Sequence, residues 1–321
     1  MRILMLSATP LVGAPIRLSN AFIENGWDVD LYTQKDYPNH LRGIFPIGEL
    51  DHSLMQHFSN EKLYDFVWIH NYVDPDIIKS IRTKYKCPMV LHVHSGVHEG
   101  PLFNKLIASE YLNLFTVRCV VSQAWARLYQ NFTMIPNVVP EIYGCQDLDL
   151  NLKQVMFTPS HGKGGRFGFK GADKTERIIN KFYKSFSRNT TKEGVNIIIN
   201  KQPIRQSSLH VLRSHTHVSI DEIVTGGFHQ VSLEALATGG CVINGADIFS
   251  LMNFAHSVEA EELPPFITVK DEAEFRRALF QITHDHDFLL DAILQSRKYY
   301  KNFLTTRRLG GLIQKKVLDL L

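Results

Sequence analysis

The sequence predicts an α/β protein of two doubly wound domains that face a cleft, each a parallel sheet with helices on both faces. Three observations support this fold class. The chain has 321 residues, more than one domain usually holds. Its first half alternates apolar strand patterns with amphipathic helix patterns, as parallel sheets require. After a polar stretch near residue 145 the alternation starts again, which indicates a second domain.

The first predicted strand leads into a loop that carries a glycine. Residues 2–7 are predicted to form a buried strand, and Gly13 lies in the loop after it. A helix over 16–25 and a strand over 27–33 follow. This order is typical of doubly wound domains. The loop lacks the Gly-x-Gly-x-x-Gly fingerprint, so a dinucleotide site is disfavoured.

Histidines cluster near the end of a later predicted strand. Residues 64–70 and 88–94 are predicted strands, and polar residues at the carboxyl ends of parallel strands point into the ligand crevice. His92 and His94 share one face of the second of these strands, and His98 follows in the loop. A zinc site made of these histidines is disfavoured, because no cysteine or acidic residue has ligand spacing. We therefore expect no metal.

The second half repeats the alternation of strands and helices. A strand over 155–158 is followed by a glycine-rich, basic loop and a helix over 174–187. The chain ends in helical patterns from residue 287 onward, with a break predicted near Gly310.

The most informative stretch runs from Val218 to Asn244. A short β-prone run passes through a glycine turn into a helical pattern, which Gly239 ends before the next strand. Glycines let backbone N–H groups approach a ligand at the helix N-terminus, where the helix dipole favours an anion such as a diphosphate. Glu234, one to two turns into this helix, is expected within reach of a sugar hydroxyl.

This stretch resembles the signature of the retaining GT-B glycosyltransferases of family 4. The usual form is a glutamate, Gly-Phe-Gly, a short spacer and Leu-Glu-Ala-Met-Ala, then a Pro-Val-Ile strand. Residues 227–228 match Gly-Phe, and residues 233–237 match Leu-Glu-Ala-Met-Ala. The chain departs from the signature at three positions. Gly226 stands where the first glutamate is usual, His229 replaces the second glycine, and Cys241 replaces the proline.

The resemblance implies a fold of two Rossmann-like domains. Residues 1–145 would form the acceptor-side domain, and residues 146–300 the nucleotide-sugar domain. Residues 301–321 would form a closing helix that crosses back to the first domain. Residues 134–139 resemble the family's Pro-Asn segment, which leads into the linker.

The resemblance also implies the positions of the donor site. The family carries Gly-Arg, a spacer and Lys-Gly at its diphosphate site, and Arg166 and Lys170 match this pair. Glu222 or Asp221 is expected to replace the carboxylate missing at Gly226. The expected catalytic residues are His94, Glu234 and Glu222. The expected donor-binding residues are Gly13, Arg166, Lys170, Gly226, Gly227, Phe228, His229 and Glu234.

The implied function is metal-independent, retaining transfer of a sugar from a nucleotide-diphosphate sugar to an unknown acceptor. That acceptor could be a glycan, a lipid-linked sugar or a modified nucleic acid. Cations and a helix N-terminus, rather than a metal or another cofactor, would stabilise the leaving diphosphate. Two alternatives remain open. A catalytically degenerate fold that acts as a binding protein would explain Gly226, and a nucleotide-sugar epimerase shares the architecture.

Composition limits the location of the protein and its partners. The chain is 44% hydrophobic and 21% charged, as in ordinary globular proteins. No apolar run reaches the roughly 20 residues of a membrane span. The four cysteines lie far apart, so we expect a cytoplasmic protein. Between Lys153 and Arg205, 12 basic residues stand against 3 acidic ones, which suits donor phosphates, a nucleic acid or an anionic membrane surface.

Overall fold

The computed structural model describes residues 1–37, 42–50, 63–94, 105–123, 126–142, 149–158, 170–186 and 194–321. These residues form two compact units. The first contains Met1–Val138 together with Thr306–Leu321, and the second contains Val139–Thr305. The first unit is thus built from both ends of the chain. No helix in the described ranges combines the length and the apolar character that crossing a bilayer needs.

The described part of the first unit contains a seven-stranded parallel sheet in the order β3-β2-β1-β4-β5-β6-β7. The order reverses between β1 and β4, and in such sheets the ligand crevice lies at the carboxyl ends of the strands beside the reversal. The strands are β1 Arg2–Ser7, β2 Asp28–Thr33, β3 Glu49–Leu50, β4 Phe66–His70, β5 Met89–Val93, β6 Val117–Val121 and β7 Thr133–Ile135. The helices are α1 Ala14–Glu24, α2 Pro75–Tyr85 and α3 Lys105–Leu112.

Both faces of this sheet are buried, which explains why its strands are nearly continuous apolar runs. One face packs Leu4, Leu6 and Ile69 against Ile78 and Ile81 of α2. The other face carries an aromatic cluster in which Phe22 of α1 contacts Trp68 edge to face, with ring centroids 5.3 Å apart. His70 and His92 continue this second face toward the carboxyl edge of the sheet.

The described part of the second unit contains a five-stranded parallel sheet in the order β12-β11-β10-β8-β9. The order reverses between β8 and β10, so the crevice expected of this sheet lies at their carboxyl ends. The strands are β8 Leu152–Phe157, β9 Gly194–Ile199, β10 Val218–Ile220, β11 Cys241–Asn244 and β12 Phe266–Thr268. The helices are α4 Ala172–Phe186, α5 Gln206–Ser214, α6 Gln230–Thr238, α7 Ile248–Ser257, α8 Glu272–His284 and α9 His286–Tyr299.

The predicted strand–turn–helix–strand unit is present as β10, a glycine turn over residues 221–229, α6 and β11. Every residue of α6 from Ser232 to Thr238 is buried, so this helix lies within the core and has no exposed polar face along that stretch. Gly239 ends it in the left-handed conformation with φ +75°, which glycine adopts at little cost. The glycine turn is therefore anchored at both ends by buried elements.

The last helix, α10 Thr306–Leu318, packs on α1 in the first unit. A side-chain carbon at Gly310 would lie 2.5 Å from the Ala21 carbonyl oxygen. The predicted helix break near Gly310 is wrong, because this glycine permits close helix packing within a continuous helix. The interruption comes earlier, at Thr305, where ψ is 144°.

Candidate active site

Two carboxylates that follow β10 hold the glycine turn in place. Asp221 accepts hydrogen bonds from the His229 amide at 2.7 Å and the Ser232 hydroxyl at 2.8 Å. Glu222 accepts from the amides of Val224 and Thr225 at 2.9 and 2.8 Å. Glu222, expected to replace the missing glutamate, therefore directs its carboxylate into its own turn. Its predicted catalytic role remains untested.

The Asp221 carboxylate is held in its charged form. Burial alone raises its pKa. The hydrogen bonds and the electrostatic interaction with His229, together with the Ser232 hydroxyl, outweigh burial and place the pKa below its ordinary value. The His229 ring nitrogen Nδ1 lies 3.5 Å from an Asp221 oxygen. Asp221 thus fixes the start of α6 electrostatically as well as by hydrogen bonds.

Gly226 adopts a backbone conformation that a side chain resists. Its φ is +80°, and a side-chain carbon there would lie 3.1 Å from an oxygen of Asp247. Its carbonyl accepts from the Asp247 amide and the Ser250 hydroxyl, each at 2.8 Å. A glutamate at position 226, which is usual in the family-4 signature, would therefore adopt a strained backbone conformation in this turn.

The remaining residues of the signature are arranged around the start of α6. The Phe228 ring is fully buried between Phe254 and Phe266, so only its backbone can face a ligand. The Gly227 amide lies 3.3 Å from the Thr225 hydroxyl. His229 is the N-cap of α6, and its side chain makes no capping hydrogen bond. The dipole at this helix start favours negative charge, and the Asp221 carboxylate lies there.

Glu234 lies in a buried ion pair. Its side chain accepts from Arg213 Nε at 2.9 Å, with side-chain exposures of 4% and 1%. Arg213 also reaches the Thr158 hydroxyl at 3.3 Å, directly after β8. The ion pair thus lies close to the carboxyl edge of the sheet. The expected contact of Glu234 with ribose remains a prediction, and the arginine gives this carboxylate a structural role of its own.

The Lys170 segment lies against the glycine turn. Lys170 and Gly171 directly precede α4, and a side-chain carbon at Gly171 would lie 2.2 Å from a methyl group of Val224. The Thr175 hydroxyl donates to the Gly171 carbonyl at 3.0 Å and fixes this approach. The fold thus brings together two of the predicted donor-binding segments. Arg166, the other predicted cation, lies outside the described residues.

In the first unit, Gly13 forms the start of α1. Gly13 has φ +77° and is the N-cap of this helix. Arg17, which is 5% exposed, donates from Nε to the Gly13 carbonyl at 3.1 Å and also to the Val12 carbonyl. The loop expected beside the ligand is therefore braced by a buried arginine.

His94 belongs to a group of three histidines at the carboxyl edge of β4 and β5. His70 Nδ1 and His94 Nε2 are 2.8 Å apart, and the ring centroids of His92 and His94 are 3.9 Å apart. Burial lowers the pKa of all three. The pKa of His94 falls to about 3 because burial disfavours the charge, with Asn137 opposing this shift and Arg17 adding to it. Burial therefore favours the neutral form of all three rings.

The sequence interpretation missed two residues of these sites. His70 is in register with His92 on the neighbouring strand, and its position at a strand end was the available signal. No feature of the sequence indicated that Arg213 is buried in an ion pair, because a charged residue near the end of a helix is usually exposed to solvent.

Comparison with known proteins gives full-length structural matches. No protein-family model matches the chain, and none of the curated proteins matches it. Sucrose-phosphate synthase from Thermosynechococcus elongatus aligns with a TM-score of 0.61 at 13% identity, over 100% of this chain and 99% of its own. HepE from Anabaena, in complex with UDP and glucose, aligns with a TM-score of 0.62 at 13% identity. The alignment covers 99% of this chain and 100% of HepE. A UDP-forming trehalose-phosphate synthase from Burkholderia vietnamiensis aligns with a TM-score of 0.58 at 11% identity. The alignment covers 100% of this chain and 99% of the synthase.

At these identities the likeness concerns the fold. Each unit contains a parallel sheet whose strand order reverses once, and the matches span almost the whole chain. The predicted fold class is confirmed: the chain has the GT-B fold, built from two Rossmann-like domains.

Proposed function

We propose that the protein is a glycosyltransferase that moves a sugar from a nucleotide-diphosphate sugar to an acceptor, with retention of anomeric configuration. The observation that carries this proposal is the packing of the Lys170–Gly171 turn against the glycine turn before α6. This packing supports the proposal because it brings the backbone of the Lys170 segment to the turn before α6, where a cation, backbone amides and a helix N-terminus would act together. These are the groups that bind a diphosphate without a metal ion.

The donor is assigned to the second unit. Structural neighbours of this chain were solved with UDP and with UDP-glucose, which supports a uridine diphosphate sugar as the first donor to test. Lys170 and the backbone amides around Gly226 to Phe228 would hold the diphosphate, with Arg166 as the second cation. Glu234 would accept from the ribose hydroxyls while Arg213 orients its carboxylate.

Catalysis would depend on stabilising the leaving diphosphate. Negative charge grows on its oxygens as the sugar leaves, and fixed cations and dipoles stabilise that charge without reorganising. No enzyme nucleophile is assigned, because Gly226 has no side chain and Glu222 bonds its own turn. The catalytic role expected of His94 stays part of this proposal, since an imidazole can exchange hydrogen bonds with hydroxyl groups of a sugar.

A donor panel tests this function and separates its alternatives. UDP-, GDP- and ADP-sugars are screened by thermal shift, and products formed with and without candidate acceptors are analysed by mass spectrometry. A transferase produces a glycosylated acceptor and a free nucleoside diphosphate. An epimerase releases a changed sugar without any acceptor, and a binding protein shows stabilisation without product. Either of the last two results would contradict the proposal.

A further inference from the structure

Three histidines of the first unit converge at the carboxyl edge of its sheet. His70 ends β4, His92 lies beside it in register on β5, and His94 follows two residues later on the same face. One ring nitrogen from each residue can be chosen so that all three lie within 4.8 Å of one another. Two nitrogens bound to one tetrahedral zinc ion are about 3.4 Å apart, given Zn–N bonds of about 2.05 Å. Binding an ion therefore requires the rings to rotate toward one another and to give up the contact between His70 Nδ1 and His94 Nε2.

The buried part of this histidine cluster leaves polar atoms unpaired. His70 and His92 are 0% and 1% exposed. Among the described residues, His70 Nε2 and both ring nitrogens of His92 have no hydrogen-bond partner. A neutral imidazole always carries one N–H group, so His92 buries a donor without an acceptor in this state. Buried polar groups are rarely left unpaired unless a water, an ion or a ligand completes them.

The chemistry of the cluster suits a metal ion. Metals bind imidazole through a ring nitrogen, and His70 and His92 bury ring nitrogens that have no partner among the described residues. Three protein nitrogens with a remaining open position make the ligand set of catalytic zinc sites. Imidazole favours zinc, copper and nickel over magnesium and calcium. The electrostatic influence of Arg17 on His94 adds positive charge beside the site. An anion is therefore the expected occupant of the open position.

We propose that His70, His92 and His94 bind one zinc-class divalent cation whose open position takes an anionic oxygen ligand. The sequence disfavoured a metal because no cysteine or acidic residue has ligand spacing near His92, His94 and His98, and His98 lies outside the described residues. The neighbouring strand supplies His70 instead. This site is argued from residues of the first unit alone, whereas the proposed diphosphate site belongs to the second. An ion bound to His94 would replace the direct contact with a sugar that the family resemblance implies for this residue.

Metal titration of the untagged full chain tests the site directly. Protein stripped with a strong chelator is titrated with ZnCl₂ by calorimetry and with CoCl₂ by visible absorption. We expect one ion per chain and the d–d bands of four-coordinate cobalt, with zinc raising the melting temperature. His94→Ala and His92→Phe should weaken zinc binding at least 100-fold. His256→Ala, at an exposed histidine of the second unit, should change nothing.

Two results would overturn this site. One is the absence of stoichiometric zinc binding by the wild type. The other is binding that folded His94→Ala and His92→Phe proteins retain in full, which would leave the histidines as a hydrogen-bonded cluster. If the variants fail to fold, X-ray absorption of the wild-type zinc complex shows whether nitrogen atoms bind the ion. Three or more nitrogen neighbours at about 2.0 Å support the site, and an all-oxygen shell contradicts it.

Discussion

Replacing Glu234 with Gln tests the buried ion pair that Glu234 forms with Arg213 in the second unit. The substitution keeps the shape of the side chain but removes the charge that faces Arg213, whose side chain is 1% exposed. The arginine cannot lose its own charge, and its Nη1 atom already has no hydrogen-bond partner among the described residues. Breaking a buried pair by removing one partner costs about 3–5 kcal/mol. Because the Gln oxygen can still accept from Nε, we expect about 3 kcal/mol.

The assay is thermal and chemical unfolding of the ligand-free protein. A destabilisation of this size lowers the melting temperature of a domain of 150–250 residues by about 6–12 °C. Glu272→Gln is the matched control, because it removes an exposed pair with Arg276 within α8, worth at most about 0.5 kcal/mol. A double variant, Arg213→Met with Glu234→Leu, should recover much of the loss, since apolar replacement of both partners removes the unpaired charge.

The result that would refute this reasoning is a normal melting temperature for Glu234→Gln. If donor affinity also fell tenfold or more, the carboxylate would act mainly on the ligand, as the family resemblance implies. If affinity and activity were normal too, the resemblance in this stretch would carry no functional meaning.

Three further predictions follow from the geometry of the sites. Gly226→Glu should lower the free energy of unfolding, measured in denaturant, by about 1–2 kcal/mol without raising activity, because φ is +80° and Asp247 lies close. Gly226→Asn should be better tolerated. A Gly226→Glu protein more active than the wild type would contradict the view that the turn excludes a glutamate. The pKa of Asp221 is lowered in the folded state, so the charged carboxylate stabilises the fold fully above the ordinary aspartate pKa of about 4, and this stabilisation is lost as the pH falls below that value. Asp221→Asn should therefore flatten the acid side of a plot of stability against pH. An unchanged acid side would exclude a stabilising role of the Asp221 charge. Transfer activity should survive excess EDTA; a loss restored by Mg²⁺ or Mn²⁺ would place a cation on the diphosphate, whereas restoration by Zn²⁺ alone would point to the histidines.

The βαβ unit around α6 could be predicted because its signals are local. An apolar run, a glycine turn, a helix of small and apolar residues and Gly239 at its end follow one another within the chain. Each of these features restricts the backbone without help from distant residues. The structure shows each of them close to the predicted position.

The side-chain partners could not be predicted, because they depend on packing between distant segments. Arg213 and Glu234 lie on different helices, and only the packing of α5 on α6 buries both. His70 meets His94 because β4 and β5 are neighbours in register. Gly310 illustrates the same limit. Its low helix propensity predicted a break, but close contact with α1 favours glycine within a continuous helix.

The most direct test of the proposed function is calorimetric titration of UDP, or of whichever nucleoside diphosphate binds best in the panel, into the wild type and two lysine variants. Lys170→Ala should raise the dissociation constant roughly 10- to 150-fold, the equivalent of about 1.5–3 kcal/mol for a charge-assisted hydrogen bond. Lys174→Ala removes an exposed lysine from the first turn of α4 and should leave the constant unchanged. Equal affinity for the wild type and Lys170→Ala would contradict a diphosphate site between the Lys170–Gly171 turn and the glycine turn of α6.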